Sequence, residues 1–251
     1  MANIPRSHPR YRSLVTRAYL AHQMERGLLV PEGLIAQGRG EAFDYLFGER
    51  TTPVARKAER VAAARLMQAR RPVLSVNGNV AALGARPVAA LARAIPHLKV
   101  EVNLFHRTPR RAQLVEQALS EAGVHPVYGV HPTARLRGLA SDRSWVDPEG
   151  ILRADTVLVP LEDGDRAQAL VQAGKTVISI DLNPFSRTTL AAHVPIVDEL
   201  SRALRNIRAE ALRLSRKGSV PVEPVPAEEL RAQYVGFLLR RLQRFSGAHP
   251  P

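Results

Sequence analysis

The sequence predicts an α/β protein: a Rossmann-like, doubly wound, mainly parallel six-stranded sheet with an N-terminal helical segment and C-terminal helices. Three observations predict it. Short β-branched runs alternate with helical patterns along most of the chain, the rhythm of repeated βαβ units. The runs are continuously apolar, as strands buried on both faces must be. Their ends turn polar. Thr156–Val159 leads into Glu162-Asp163-Gly164-Asp165, and Thr176–Ile180 into Asp181-Leu182-Asn183-Pro184-Phe185-Ser186-Arg187. A strand, a crossover helix and a parallel strand put both tips at one sheet edge, where open α/β folds bind ligands.

The elements follow in order. Tyr11, Leu14, Val15, Ala18, Tyr19 and His22 share one face of a helix over residues 9–26, with Arg17 at its flank and Gly27 at its end. Gly38-Arg39-Gly40 precedes a helical pattern, which suggests a backbone bend with a cation aimed at phosphates, or simply a turn. Thr52-Pro53 starts the next helix, which runs to about Arg70. The first strand, Pro72–Val76, runs into Asn77-Gly78-Asn79, read as a strand-to-helix junction. A short helix is expected over Pro87–Ile95, and a strand over Leu98–Leu104 that ends in Phe105-His106-Arg107. Thr108-Pro109 caps a helix to Ala122, and Pro126–Val130 is a strand. Residues 131–150 form a long polar loop holding Trp145, Arg135, Arg137 and Arg143, a length that suits a functional or oligomer contact. The sixth strand, His193–Val197, ends in Asp198-Glu199 before a helix over Leu200–Leu214. Residues 1–217 form the main domain, and residues 218–251 a linker and a C-terminal helix.

Composition narrows the function. There are 251 residues, 45% apolar, with a net charge of +13 and no cysteine. Disulfides, thiolate metal sites and cysteine nucleophiles are excluded. No apolar run approaches a membrane span, and the N-terminus lacks a secretory core, so a cytoplasmic chain is expected. The charge raises nucleic-acid binding as one reading. The arginines are dispersed, however, and aromatics are only 5%, which gives little to stack on bases. A site for several phosphates accounts for part of the charge.

The chemistry points the same way. No G-x-G-x-x-G follows the first strand, which disfavours a nicotinamide dinucleotide. Asp181, at a strand end, suits ribose hydroxyls or a turn. Glu162, Asp163 and Asp165 suggest Mg²⁺ bridging to phosphates, although Asp165 equally suits a helix cap. The histidines show no metal-ligand spacing.

Several stretches together carry a resemblance. They are Asn3-Ile4-Pro5-Arg6-Ser7-His8-Pro9-Arg10-Tyr11, Gly33 to Leu46, Ser75-Val76-Asn77-Gly78-Asn79-Val80-Ala81-Ala82-Leu83, Asn103-Leu104-Phe105, Val159 to Arg166, and Ile180 to Pro184. The chain resembles the archaeal phosphopantothenate synthetase (4-phosphopantoate–β-alanine ligase) family over the first four-fifths of its length. The resemblance implies an ATP-dependent amide-forming ligase of coenzyme A biosynthesis that works through an acyl adenylate as a homodimer. It implies ATP contacts at Arg17, Arg39, Asp181, Leu182, Asn183, Arg187, Thr188, Asp198 and Glu199. On this reading Arg39 stabilises the ATP phosphates, Asn77, Asn79 and Arg107 hold the phosphopantoate phosphate, and Glu162 or Asp163 serves as base. Mg²⁺ is expected with ATP.

Overall fold

The computed structural model describes residues 4–8, 10–218 and 225–246. Asn3 and Pro9, and most of the linker after Gly218, lie outside them. Three helices come first: α1 (Tyr11–Glu25), α2 (Pro31–Phe47) and α3 (Pro53–Gln68). The βα rhythm follows: β1 (Pro72–Val76), α4 (Gly78–Ala94), β2 (Lys99–Val102), α5 (Pro109–Glu121) and β3 (Val127–Tyr128). A hairpin, β4 (Ala134–Arg135) with β5 (Trp145–Val146), leads to β6 (Thr156–Pro160), α6 (Gly164–Gln172) and β7 (Thr176–Asp181). The chain ends with α7 (Arg187–Ala191), β8 (Val194–Val197), α8 (Leu200–Lys217) and α9 (Ala227–Ser246).

The large sheet has the order β3-β2-β1-β6-β7-β8 and is parallel throughout. The chain winds outward from β1, returns to β6 and winds outward again. The order therefore reverses between β1 and β6, whose register pairs Leu74 with Leu158. The crevice outside that reversal is the place where such folds bind ligands.

Alternation along the strands divides the core in two. Leu74, Val76, Leu158, Ile178 and Ile180 join the larger cluster with α3, α4 and α8. Val73, Val157, Val159 and Val177 join the smaller one with Leu170 of α6, Val146 of the hairpin and Ile151. The predicted polar loop is therefore a structured cover for the second sheet face. Its antiparallel pair is clasped by Arg135 stacked 4.1 Å above Trp145.

The helix starts are built as their sequences indicate. Thr52, Asn77, Thr108 and Ser186 each accept a backbone N–H three residues ahead. Two expectations change. A single helix, α4, runs straight through Pro87, because Val80, Val88 and Leu91 anchor it on both sides of the proline. Gly38-Arg39-Gly40 is not a bend ahead of a helix but lies in the middle of α2.

That helix sets the geometry of the site. Gly33, Gly40, Asp44 and Phe47 recur at helical spacing along one face. Gly33 lies against the Asn79 side chain, and Gly40 lies where a Cβ would be 3.6 Å from Leu182. Asp44 pairs with Arg202 of α8 at 2.7 Å, and the Phe47 ring stacks on Phe237 of α9. Helix α2 thus crosses the C-terminal edge of the sheet like a beam. Gly33 has to be glycine, because any Cβ there would collide with the Asn79 amide and Leu29.

Candidate active site

Under α2, at the β1/β6 reversal, lies a cavity of about 340 Å³. Asn77, Gly78 and Asn79 line its floor, Leu104, Phe105 and His106 one wall, and Arg39, Arg111 and Arg143 supply positive charge. Glu32 and Asp163 are the acids in the lining.

The floor follows from the β1–α4 junction. Asn77 caps α4, its Oδ1 accepting from Val80 N at 3.0 Å. Its amide donates to the carbonyls of Pro160 and Leu161 at 3.3 and 3.0 Å, tying the β1 tip to the β6 tip. Gly78 and Asn79 are then the first two helical residues, whose N–H groups have no acceptor within the helix. A helix start with free N–H groups draws anions. Gly78 permits this close turn, because a Cβ would sit 2.8 Å from the Leu28 carbonyl. Leu161 turns back from β6 at φ +50°, a conformation that costs a non-glycine residue free energy and collects at functional sites.

The cations arrive from three directions. Arg39 descends from α2 and reaches the β7 tip electrostatically, favouring the charged form of Asp181. Arg111, in the first turn of α5, donates to the His106 carbonyl and keeps its Nε without a partner. Burial lowers its pKa, the nearby Arg143 adds to the fall, and Glu32 opposes both. Arg143 is 6% exposed. It pairs with Glu162 at 2.5 Å and Asp163 at 3.1 Å, without directed hydrogen bonds from Nε and one terminal nitrogen. Asn103, at the end of β2, fixes this arginine by donating to the carbonyls of Arg143 and Trp145.

The residues predicted from sequence separate into two groups. Arg39, Asn79 and Asp163 line the cavity, and the Asn79 amide has no hydrogen-bond partner among the described residues. Asn77 is also at the cavity, but its side chain is committed to the two strand tips. Glu162 is not placed as a base. Its carboxylate is held between Arg143 and the buried Arg166, which also donates to Ser75, so neither oxygen is free for an amine. Arg107 faces elsewhere: one terminal nitrogen donates to the Gly129 and Val130 carbonyls at 2.5 and 2.7 Å, the other is buried without a partner, and the residue is absent from the cavity lining.

The second strand tip continues the edge. Asp181 accepts from Leu182 N, Asn183 N and the Ser186 hydroxyl. Burial raises its pKa, while Ser186, Asn183, Leu182 and Arg39 pull it back. Asn183 is exposed, and its Oδ1 caps Phe185 N. Thr188 donates to the Glu162 carbonyl at 2.7 Å, locking the two tips together. Arg187 pairs with Asp165 at 2.5 Å, so Asp165 serves as an ion-pair partner and Asp163 holds the cap position of α6. Asp198 is fully buried, accepting from Thr51 at 2.6 Å and from Arg202. Glu199 caps α8. Arg17 is exposed on α1, with no ionic partner among the described residues.

The acidic tip does not fit a metal. Glu162, Asp163 and Asp165 are each paired with an arginine, and the described residues contain no group of three or more His, Asp or Glu that could hold an ion. Two contributors are not among the predicted site residues, although Arg143 lies in the loop expected to be functional or an oligomer contact. Arg143 sits far along the loop over residues 131–150, and its contacts with Asn103, Glu162 and Asp163 bring it in. Arg111 was legible in principle, since any first-turn residue after a strand tip lies at this edge.

Fold and site together define a doubly wound α/β protein with an arginine-lined cavity at its switch point. The model of the family described as phosphopantothenate/pantothenate synthetase matches residues 54–226. The chain is 55% identical over 204 residues to a 4-phosphopantoate–β-alanine ligase of Methanospirillum hungatei, covering 81% of this chain and 83% of that one. It is 52% identical over 219 residues to the Methanosarcina mazei protein of the same name, covering 86% of each. For the one from Thermococcus kodakarensis the figure is 50% over 204 residues, with 81% and 78% covered. The chain belongs to the phosphopantothenate/pantothenate synthetase family.

Proposed function

We propose that this chain is an ATP-dependent ligase that joins 4-phosphopantoate to β-alanine, giving 4′-phosphopantothenate, AMP and diphosphate in coenzyme A biosynthesis. The observation that carries this is the cavity at the β1/β6 reversal. It offers the free start of α4 and three guanidiniums, and Arg39 links it electrostatically to the β7 tip. Two phosphate-bearing substrates must lie side by side for adenylation, and this edge has two adjacent polar tips.

The phosphopantoate phosphate sits at the Gly78 and Asn79 N–H groups, with the Asn79 amide and Arg111 beside it. Asn77 holds that floor in shape. The nucleotide lies over Asp181, Leu182, Asn183, Arg187 and Thr188, with Arg17 and Arg39 toward its phosphates. Asp198 and Glu199 support it from β8 through their backbone and through Arg202. ATP enters as its magnesium complex, the metal carried by the phosphates.

The chemistry needs no covalent enzyme nucleophile. A carboxylate oxygen attacks the α-phosphorus, the bond to the β-phosphate oxygen breaks, and diphosphate leaves. The β-alanine nitrogen then attacks the acyl carbon, and AMP leaves with the electron pair of the acyl–oxygen bond. Arg39 and Arg143 stabilise charge that develops on the phosphates and the acyl oxygen, while the cavity aligns the reacting atoms. Asp163, half exposed and in the lining, is the carboxylate that takes the amine proton on this reading.

Incubation with ATP, β-alanine and 4-phosphopantoate should yield 4′-phosphopantothenate by mass spectrometry, with AMP formed only when phosphopantoate is present. AMP release independent of phosphopantoate, or no condensed product, refutes the assignment. A cytoplasmic homodimer is proposed on the family resemblance. A light-scattering mass near 27.6 kDa, the monomer value, refutes the dimer.

A further inference from the structure

At the opposite edge of the sheet lies a second cavity, of about 410 Å³. It is formed where three neighbouring strands begin: Arg70 and Arg71 precede β1, His97 and Lys99 open β2, and His125 precedes β3, with Arg93 closing it from α4. No carboxylate is in the lining. The side chains of Arg70, Arg71 and Arg93 make no hydrogen bond or ion pair among the described residues. Arg143, Arg166, Arg187, Arg202 and Arg213, by contrast, are paired with acids. Asp155 accepts from the backbone N–H groups of Arg70 and Arg71 rather than from their guanidiniums.

The cavity is also shaped. Gly123 turns at φ +94°, and Arg93 lies so close that a Cβ there would be 3.1 Å from its terminal nitrogen. Lys99 is held by the Glu149 carbonyl and by the Tyr128 ring at 4.8 Å. Burial first, and then Arg71, lowers the pKa of Lys175 below this edge, while Asp155 and Glu101 oppose the fall. Four permanent cations around one concave site with no acid in its lining make a positive potential that favours an anion. A single phosphate balances half of that charge. A diphosphate, with about three negative charges near neutral pH, balances most of it, and guanidiniums match its oxygens two at a time.

We propose that this cavity binds a small diphosphate-bearing anion, at a site separate from the catalytic cavity. Calorimetric titration of the full chain with pyrophosphate should show two classes of site. Arg71→Ala/Arg93→Ala should weaken one class at least tenfold, and Arg39→Ala the other. An unchanged thermal midpoint for the double variant verifies its fold, and His97→Ala/Lys99→Ala gives a second route to the same loss. Pyrophosphate binding that is unchanged in both double variants overturns the proposal, whatever the number of classes in the wild type. So does salt-sensitive binding of a single-stranded RNA that disappears in the double variant while the pyrophosphate isotherm stays the same. The isotherm reads binding without turnover, so its result is independent of the ligase assignment.

Discussion

Arg107 and Arg111 stand one helical turn apart in number and differ completely in use. Arg107 gives one terminal nitrogen to two backbone carbonyls, keeps the other buried without a partner and lies outside the cavity lining, whereas Arg111 lines the cavity. Arg111→Ala should raise KM for 4-phosphopantoate by about ten- to a hundredfold, the scale of one or two charge-assisted hydrogen bonds, and leave KM for ATP within about threefold. Arg107→Ala should instead lower the thermal midpoint with little change in either KM. Steady-state kinetics with each substrate varied would expose a reversed assignment. Arg39→Ala should lower kcat/KM for ATP by about a hundredfold or more, since it removes a charge aimed at the reacting phosphates. A loss of only a few-fold would move the ATP phosphates elsewhere.

At the scale of elements, α2 and the buried polar cluster near α8 matter most. Gly33→Ala drives a methyl group into the Asn79 amide and Leu29. We expect about 1–3 kcal/mol of destabilisation, as for other overpacked sites, together with a raised KM for phosphopantoate because Asn79 must shift. Full activity with an unchanged thermal midpoint would rule out the close contact. On α3, Glu59 is completely buried and accepts from Asn206 at 3.1 Å. Burial, reinforced by the nearby Asp198, raises its pKa from 4.5 to about 9. The sign follows from proton counting. Between those two values the folded protein holds a proton that the unfolded chain has released, so stability declines as pH rises through the window, and below 4.5 the group has no effect. Urea midpoints measured from pH 5 to 8.5 should therefore fall more steeply for the wild type than for Glu59→Gln. Parallel slopes would show that Glu59 is ionised in the folded state.

On the scale of the whole molecule, α9 closes the core although it follows the linker. Leu230 and Tyr234 are fully buried, and the Tyr234 hydroxyl accepts from Val197 N at the end of β8. Burial raises the Tyr234 pKa, so it stays a neutral phenol. Tyr234→Ala should cost about 3–5 kcal/mol, the range for deleting a buried aromatic side chain. Tyr234→Phe should cost about 1–3 kcal/mol, because Val197 N–H then lies buried and unpaired. Chemical denaturation distinguishes the two. A null effect for both would mark α9 as an appendage independent of the sheet. Among the described residues no helix is long and apolar enough to cross a membrane.

Much of this was legible in the chain itself. The six strands, the caps at Thr52, Asn77 and Thr108, and the sheet edge that carries Asn79, Asp163 and Asp181 all follow from local pattern. Strand burial and capping depend on neighbours a few residues away, and the sequence lists those neighbours directly. The chain also led to the family through long matching stretches. Only the tertiary structure decided which polar groups are free. A hydrogen-bonding group can be spent once, and its partner is often distant in sequence. Glu162 is consumed by Arg143 and Arg166, Asn77 by the β6 tip, and Asp198 by Thr51, whereas Asn79 and Arg111 remain open. The Gly38-Arg39-Gly40 stretch looked like a loop for phosphates because glycines loosen a backbone. In the fold it belongs to a helix laid across the sheet edge, where Gly33 and Gly40 let that helix come close enough to hold Arg39 over the site.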